Sequence, residues 1–401
     1  MISVSEAEKI IRENTFLFPD RVLPLSEAAG ELLRESVFSD RDQPPFDRVT
    51  MDGIAIASQA WEGGCIFFPV EAFSKAGEAR KILGDWQKAI EVMTGSVLPE
   101  GCDSVIRYED LEKRDGGFAI PQDLGFKPGQ NVHPRASDLK AGSLILEMGD
   151  ALNGPRLGVL ASVGKVRVCV ACRPKIAILS TGDELVDVDQ EVKPFQIRKS
   201  NPHAIQAVLK GSGYSQIECF HAKDNLEELR NKTGEALSRN DCLIVTGGVS
   251  MGKADFVPEI LKGLGVSILF HKVAQRPGKP MLFGKTDDGK RVFGLPGNPV
   301  SVLVCLTRYV LLALDQGLGR VPKIKTALLE EDFQTKATDL TLFLPVRARW
   351  ESGCVWAKPC PTNTSGDFSS LARSDGFVEM QAGKSRYSKG EALPFFSWGA
   401  S

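Results

Sequence analysis

Apolar residues recur at helical spacing in two stretches near the start of the chain, Ala7, Ile10 and Ile11 within residues 5–13 and Ala28, Leu32 and Leu33 within residues 26–34. Serines stand at the head of each, so the pattern predicts two amphipathic helices. The polar, proline-bearing run Asp40-Arg41-Asp42-Gln43-Pro44-Pro45 ends that pattern. Over the next ~85 residues short strand-like runs alternate with glycine turns, which predicts a separate β-rich unit ending near His133-Pro134-Arg135. Beyond Pro174 the period changes again. Lys175-Ile176-Ala177-Ile178-Leu179 reads as a buried strand, and Ser200-Asn201-Pro202 caps a helix through Leu209. Further strands at 217–220 and 242–245 alternate with helices at 226–237 and 257–264, and an apolar helix at 300–314 closes the segment. Strands alternating with helices at this spacing predict a doubly wound parallel sheet. After Gly319 the helical period is lost; Val346, Ala348 and Trp350 share one strand face and Arg347 and Arg349 the other, so the C-terminus reads as a small all-β domain.

Composition narrows the function. With 401 residues, 49 basic against 51 acidic, the chain is long enough for several domains and too evenly charged for wholesale binding to nucleic acid or anionic lipid. The apolar run at 300–314 carries Thr307 and Arg308 and is shorter than the ~20 residues of a membrane span. No basic, apolar leader opens the sequence, and the nine cysteines show no regular spacing, so a reducing cytoplasm is expected. Cys169-Val170-Ala171-Cys172 lies in a strand-like run with no second pair, and the four histidines show no ligand spacing.

In wound α/β sheets ligands bind outside the carboxyl ends of the strands. Four polar segments are therefore expected to converge: Ser180-Thr181-Gly182-Asp183-Glu184, Asp224-Asn225, Thr246-Gly247-Gly248-Val249-Ser250 and Pro296-Gly297-Asn298-Pro299. Glycine turns ahead of helices present backbone N–H groups to an anion. Two familiar nucleotide signatures fail here. Gly247 to Lys253 has the spacing of a Walker loop, but Ala254 replaces the metal-holding hydroxyl, and Val249 stands where a dinucleotide fingerprint needs glycine. Asp183, Glu184, Asp224 and Asp255 gathered in one cleft would repel by about 4 kcal/mol per pair at ~4 Å and effective dielectric ~20. A divalent cation relieves this, and magnesium commonly bridges one or two carboxylates to substrate phosphates. Lys272, Arg276 and Lys279 surround Pro277-Gly278 and suit an oxyanion.

Assembled in order, the motifs resemble the MoeA family of molybdopterin molybdotransferases, shared with the E domain of gephyrin. The matching segments are Pro44-Pro45-Phe46-Asp47 with Met51-Asp52-Gly53, Met93-Thr94-Gly95, Arg173-Pro174 leading to Leu179-Ser180-Thr181-Gly182-Asp183-Glu184-Leu185, Gly247-Gly248-Val249-Ser250 with Asp255, Pro277-Gly278-Lys279-Pro280, and Leu295-Pro296-Gly297-Asn298-Pro299. The resemblance implies four domains: an extended linking domain (1–40 with 138–171), an inserted β-rich domain (41–137), the α/β molybdopterin-binding domain (172–318) and a C-terminal β-barrel-like domain (319–401). It further implies a homodimer with the active cleft between the α/β domain of one subunit and the inserted domain of its partner, which brings in Asp52 and Thr94. The implied reaction takes adenylylated molybdopterin and molybdate with Mg2+, releases AMP and places molybdenum on the dithiolene. Glu184, Asp224 and Asp255 are then the metal and catalytic carboxylates, joined by Asp52 and Thr94. Thr181, Gly182, Asp183, Gly247 to Ser250, Lys272, Arg276, Lys279, Pro296, Pro299, Arg347 and Ser365 match positions around the substrate. The upstream molybdopterin adenylyltransferase is an implied partner; nucleic acid and membrane are not. A tungstate-preferring insertase, or a pterin-binding scaffold without turnover, would carry the same motifs. Departures from the family pattern fall at Arg48-Val49, Ile54, Ala136-Ser137, Lys253 and Arg276, and bear on substrate preference more than on reaction class.

Overall fold

The computed structural model describes residues 1–249, 256–320, 324–336, 339–360, 364 and 366–399. The chain divides into two units, Met1–Arg21 with Ala171–Ser401, and Val22–Val170. The expected linking piece of 1–40 with 138–171 is thus divided at Arg21.

In the larger unit a six-stranded sheet runs in the order Ile217–Ala222, Ile176–Thr181, Cys242–Thr246, Arg291–Leu295, Leu282–Lys285, Ser267–His271. The first four strands are parallel, and Leu282–Lys285 runs against both neighbours. Ile176–Thr181 is buried at every position, as a strand covered on both faces must be. Helices Asn201–Gly211, Leu226–Arg239 and Val257–Gly263 supply the cover. Asn225 caps the second of these, its side chain accepting from the N–H groups of Glu227 and Glu228 at 3.0 and 3.1 Å. The expected closing helix spans Pro299–Gly317 with a π-type turn at Leu306–Val310. It is long and apolar enough to cross a bilayer, yet 78% of its most apolar stretch is buried in the fold. Arg308 explains how a charge sits there: its guanidinium donates to Glu8 at 2.7 Å and Glu379 at 2.9 Å. Through Glu8, helix Val4–Glu13 is held in this unit.

The C-terminal strands close into a ring in which Thr341–Glu351, Cys354–Pro359, Lys325–Leu329, Ala392–Ser397 and Gly376–Met380 pair in turn and the last returns to the first. Val346, Ala357, Val378 and Phe395 fill its core. One short helix, Phe368–Arg373, interrupts what the sequence pattern presents as purely β.

The smaller unit holds the β-rich insertion, a six-stranded sheet ordered Ser104–Arg107, Gly53–Ile56, Ala89–Val92, Phe67–Ser74, Gly117–Ala119, Glu112–Arg114. A second core joins Leu33 and Val37 to Leu146, Leu160 and Val170, residues on either side of the insertion in sequence. The second helix expected at 26–34 is not formed. Only the turn Leu25–Glu27 is helical, because Gly30 takes φ +78° and Leu33 exchanges backbone hydrogen bonds with residues 149 and 150 instead. Strand-like pairing there outweighs a helical spacing that glycine already weakens.

Candidate functional site

Three strand ends, at Thr181, Thr246 and Leu295, deliver turns to one rim of the wound sheet, and beside them opens a cleft of about 740 Å3. Glycine is required by space as well as by conformation at its base. Gly247 has φ +88°, and a Cβ there would lie 2.8 Å from the Thr181 carbonyl oxygen and 2.9 Å from Thr181 Oγ1. Gly248, at φ +62°, would bring a Cβ within 2.9 Å of Val257. The Gly247 N–H is already given to Leu295 O at 3.2 Å, so this turn offers fewer amides than its sequence implies. Thr181 is only 5% exposed, and its Oγ1 has no hydrogen-bond partner among the described residues. A buried hydroxyl left unpaired is unfavourable, and a ligand oxygen at this rim would satisfy it.

Glu184 and Asp224 both line the cleft. The Glu184 carboxylate lies over Gly182, where a Cβ would sit 2.7 Å and 2.8 Å from its two oxygens. Asp183 stands just outside, with its Oδ1 accepting the Asp224 N–H at 3.1 Å. Asp255 and Ser250 lie outside the described residues, and among the described residues no three His, Cys, Asp or Glu side chains cluster closely enough to hold a metal.

The expected cations are placed elsewhere on the same rim. Lys272, Arg276 and Lys279 belong to the turn between Ser267–His271 and Leu282–Lys285, three to four strands from Ile176–Thr181, or roughly 15–20 Å at ~4.8 Å per strand. Gly278 packs this turn on the closing helix, since a Cβ would meet Cys305 Sγ at 2.6 Å. Arg276 pairs with the barrel strand Thr341–Glu351 and faces a smaller hollow with Lys336 and Lys384. Arg347 is an exposed barrel residue outside the cleft. Pro299 lines the cleft and Pro296 is buried beside it. Ser365 lies outside the described residues, but its neighbour Gly366 and then Phe368 reach the cleft from the C-terminal segment.

Among the described residues the cations that do line the cleft are Arg198 and Lys199, which the sequence reading passed over. Lys199 has only 15% of its side chain exposed and holds Asp187 Oδ1 at 2.9 Å. The signal beside them was Ser200-Asn201-Pro202. Ser200 makes no side-chain cap; instead Asn201 Nδ2 donates to Gly297 O at 2.7 Å and ties this helix start to the proline turn. Two histidines meet backbone carbonyls near the strand ends. His271 Nε2 donates to Val249 O at 2.7 Å, and His221 Nδ1 sits 3.1 Å from Ser180 O, its pKa held below the usual range by burial and by Lys199.

In the smaller unit the structure brings Asp52 and Thr94 together. The Thr94 N–H and Oγ1 both donate to Asp52 Oδ1 at 2.7 Å, and these bonds lower the pKa of the exposed carboxyl.

Sheet and cleft together define a wound α/β protein with a ligand site at its carboxyl rim. Residues 2–164 match the MoeA N-terminal region (domain I and II), 177–316 a probable molybdopterin binding domain, and 326–398 the MoeA C-terminal region (domain IV). The molybdopterin molybdenumtransferase of Synechocystis sp. is 41% identical over 400 residues, which cover 99% of this chain and 100% of that one. Its counterpart in Staphylococcus epidermidis is 34% identical over 400 residues, covering 98% and 94%. The solved molybdopterin biosynthesis moea protein from Pyrococcus horikosii aligns over 100% of both chains with a TM-score of 0.84 at 29% identity. The chain belongs to the MoeA family.

Proposed function

We propose that this chain is a molybdopterin molybdenumtransferase of molybdenum cofactor biosynthesis that takes adenylylated molybdopterin and molybdate and releases AMP. The observation that carries the reading is the meeting of Thr181, Gly248, Glu184 and Asp224 in one cleft at the rim of the α/β sheet. Thr181 Oγ1 is suited to donate to a phosphate oxygen, and the small residues at 247 and 248 let backbone approach it. Magnesium fits this donor set, because it is commonly held by one or two carboxylates with substrate phosphates completing its shell, and Glu184 and Asp224 are the residues that would hold it. When bound it would polarise the phosphoanhydride. The turn at Lys279 and the barrel residue Arg347 are reserved for the oxyanion, and the Asp52–Thr94 turn for the homodimeric form of the site. A cytoplasmic location belongs to the same reading.

Purified protein incubated with adenylylated molybdopterin, molybdate and Mg2+ is expected to release AMP and retain molybdenum on the pterin. Omission of Mg2+ should stop both. Pterin binding without AMP release would replace this reading with a binding or scaffolding role, and tungstate added in competition ranks the two oxyanions.

A further inference from the structure

Glu184 and Asp224 put two carboxylates on the wall of the cleft, so a phosphate entering it is held best where cationic groups face it. Among the described residues Arg198 and Lys199 are the cations that line this cleft, and Lys272, Arg276 and Lys279 do not line it. We propose that Lys199, with Arg198 beside it, is the phosphate-binding cation of this cleft and makes the site prefer a phosphorylated pterin over its phosphate-free form. This inference rests on the pterin substrate put forward above.

Four features converge on it. Lys199 lines the cleft with most of its side chain covered, so little rotamer freedom remains to be lost on binding. Its ammonium has three donors and gives one to Asp187, an exposed carboxylate that does not itself line the cleft. That pair anchors the amine and leaves donors for a ligand. Directly after it begins the 11-residue helix Asn201–Gly211, whose first residues Asn201 and Pro202 line the cleft with no side-chain cap, so its dipole adds to the positive end. Thr181, nine-tenths buried in the same cleft, carries the hydroxyl that lacks a partner among the described residues. A phosphate meeting the lysine, the helix start and that hydroxyl receives charge and hydrogen bonds from three separate elements.

The test uses the full-length protein, molybdopterin released from a molybdoenzyme under reducing conditions, and the same pterin after phosphatase treatment, with binding read by pterin fluorescence over a range of salt. Wild-type protein is expected to favour the phosphorylated form by at least about tenfold, the scale of a charged hydrogen bond. Lys199→Met should erase that preference and flatten the salt dependence, and Lys199→Arg should restore part of both. A Lys199→Met protein that melts like wild type and keeps the full preference overturns the proposal while leaving the function intact. Wild-type protein that binds neither pterin overturns this proposal, and if it also releases no AMP from adenylylated molybdopterin it overturns the function as well.

Discussion

Asp52 and Glu184 are alike in the sequence, each an acidic residue in a short glycine turn, and the structure uses them in opposite ways. Asp52 is committed: one oxygen accepts two hydrogen bonds from Thr94 and so closes its turn. Glu184 is open, with its carboxylate lying over Gly182 at the edge of the cleft and no side-chain hydrogen bond among the described residues. A committed carboxylate answers to acid through structure, whereas an open one answers to ligand and reaction. The motif type alone does not set which of the two states a side chain occupies; the neighbours that the fold supplies decide it.

Glu184→Gln carries the largest expected effect. Because the carboxylate supports no side-chain bond among the described residues, the variant should melt with wild type, while molybdenum transfer falls by about 10²–10³, as when a preorganised charge is removed from a reacting site. AMP release under saturating Mg2+ measures it. A loss of less than threefold would move Glu184 into the solvated surface and break the contrast with Asp52.

How much of this was legible beforehand depends on whether a signal was local. Ile176 to Leu179 and the Gly247-Gly248 turn carry their own physical cause in a few adjacent residues, and the sheet rim they form follows from the βα alternation. The 26–34 segment failed the same test, since its fate was set by partners near residues 149–152 and by one glycine at positive φ. Lys199 was invisible for a related reason: it follows no apolar run and precedes no glycine, and only the return of its segment over the cleft makes it part of the site. The cations around Pro277-Gly278 show the converse, a local cluster of the right chemistry displaced along the rim by strand order.

Glu8 extends the contrast to a carboxylate committed inside the fold. Burial pushes its pKa up, but Arg308 and Arg12 outweigh that and hold it below the usual carboxylate range. A group depressed in the folded state contributes its stability fully above its unfolded value, and that contribution is lost as pH falls through the folded one. Glu8→Gln should therefore cost about 2–4 kcal/mol at neutral pH in urea unfolding, somewhat less than breaking an isolated buried pair because Glu379 still faces Arg308. Below pH 4 the gap between variant and wild type should narrow. A gap that stays constant into acid would mean that the ion pair contributes nothing and only the shape of the side chain matters.

Asp52→Asn is expected to do least, and it probes the committed side most directly. An amide oxygen at position 52 can still accept from both Thr94 donors, so the turn should persist with a small loss of Tm, and molybdenum transfer should fall by less than about tenfold. The charge is what differs. In wild type the Thr94 hydrogen bonds lower the Asp52 pKa, so the bonds are strongest above the ordinary carboxylate range and weaken only as pH falls through the depressed value. The Thr94 amide resonance should therefore titrate in acid with a midpoint below that of an ordinary aspartate, and Asp52→Asn should remove the titration while leaving the amide protected from exchange. Loss of transfer by more than tenfold with that protection intact would assign the Asp52 charge itself to the reaction, and the two carboxylates would then differ in place but not in kind.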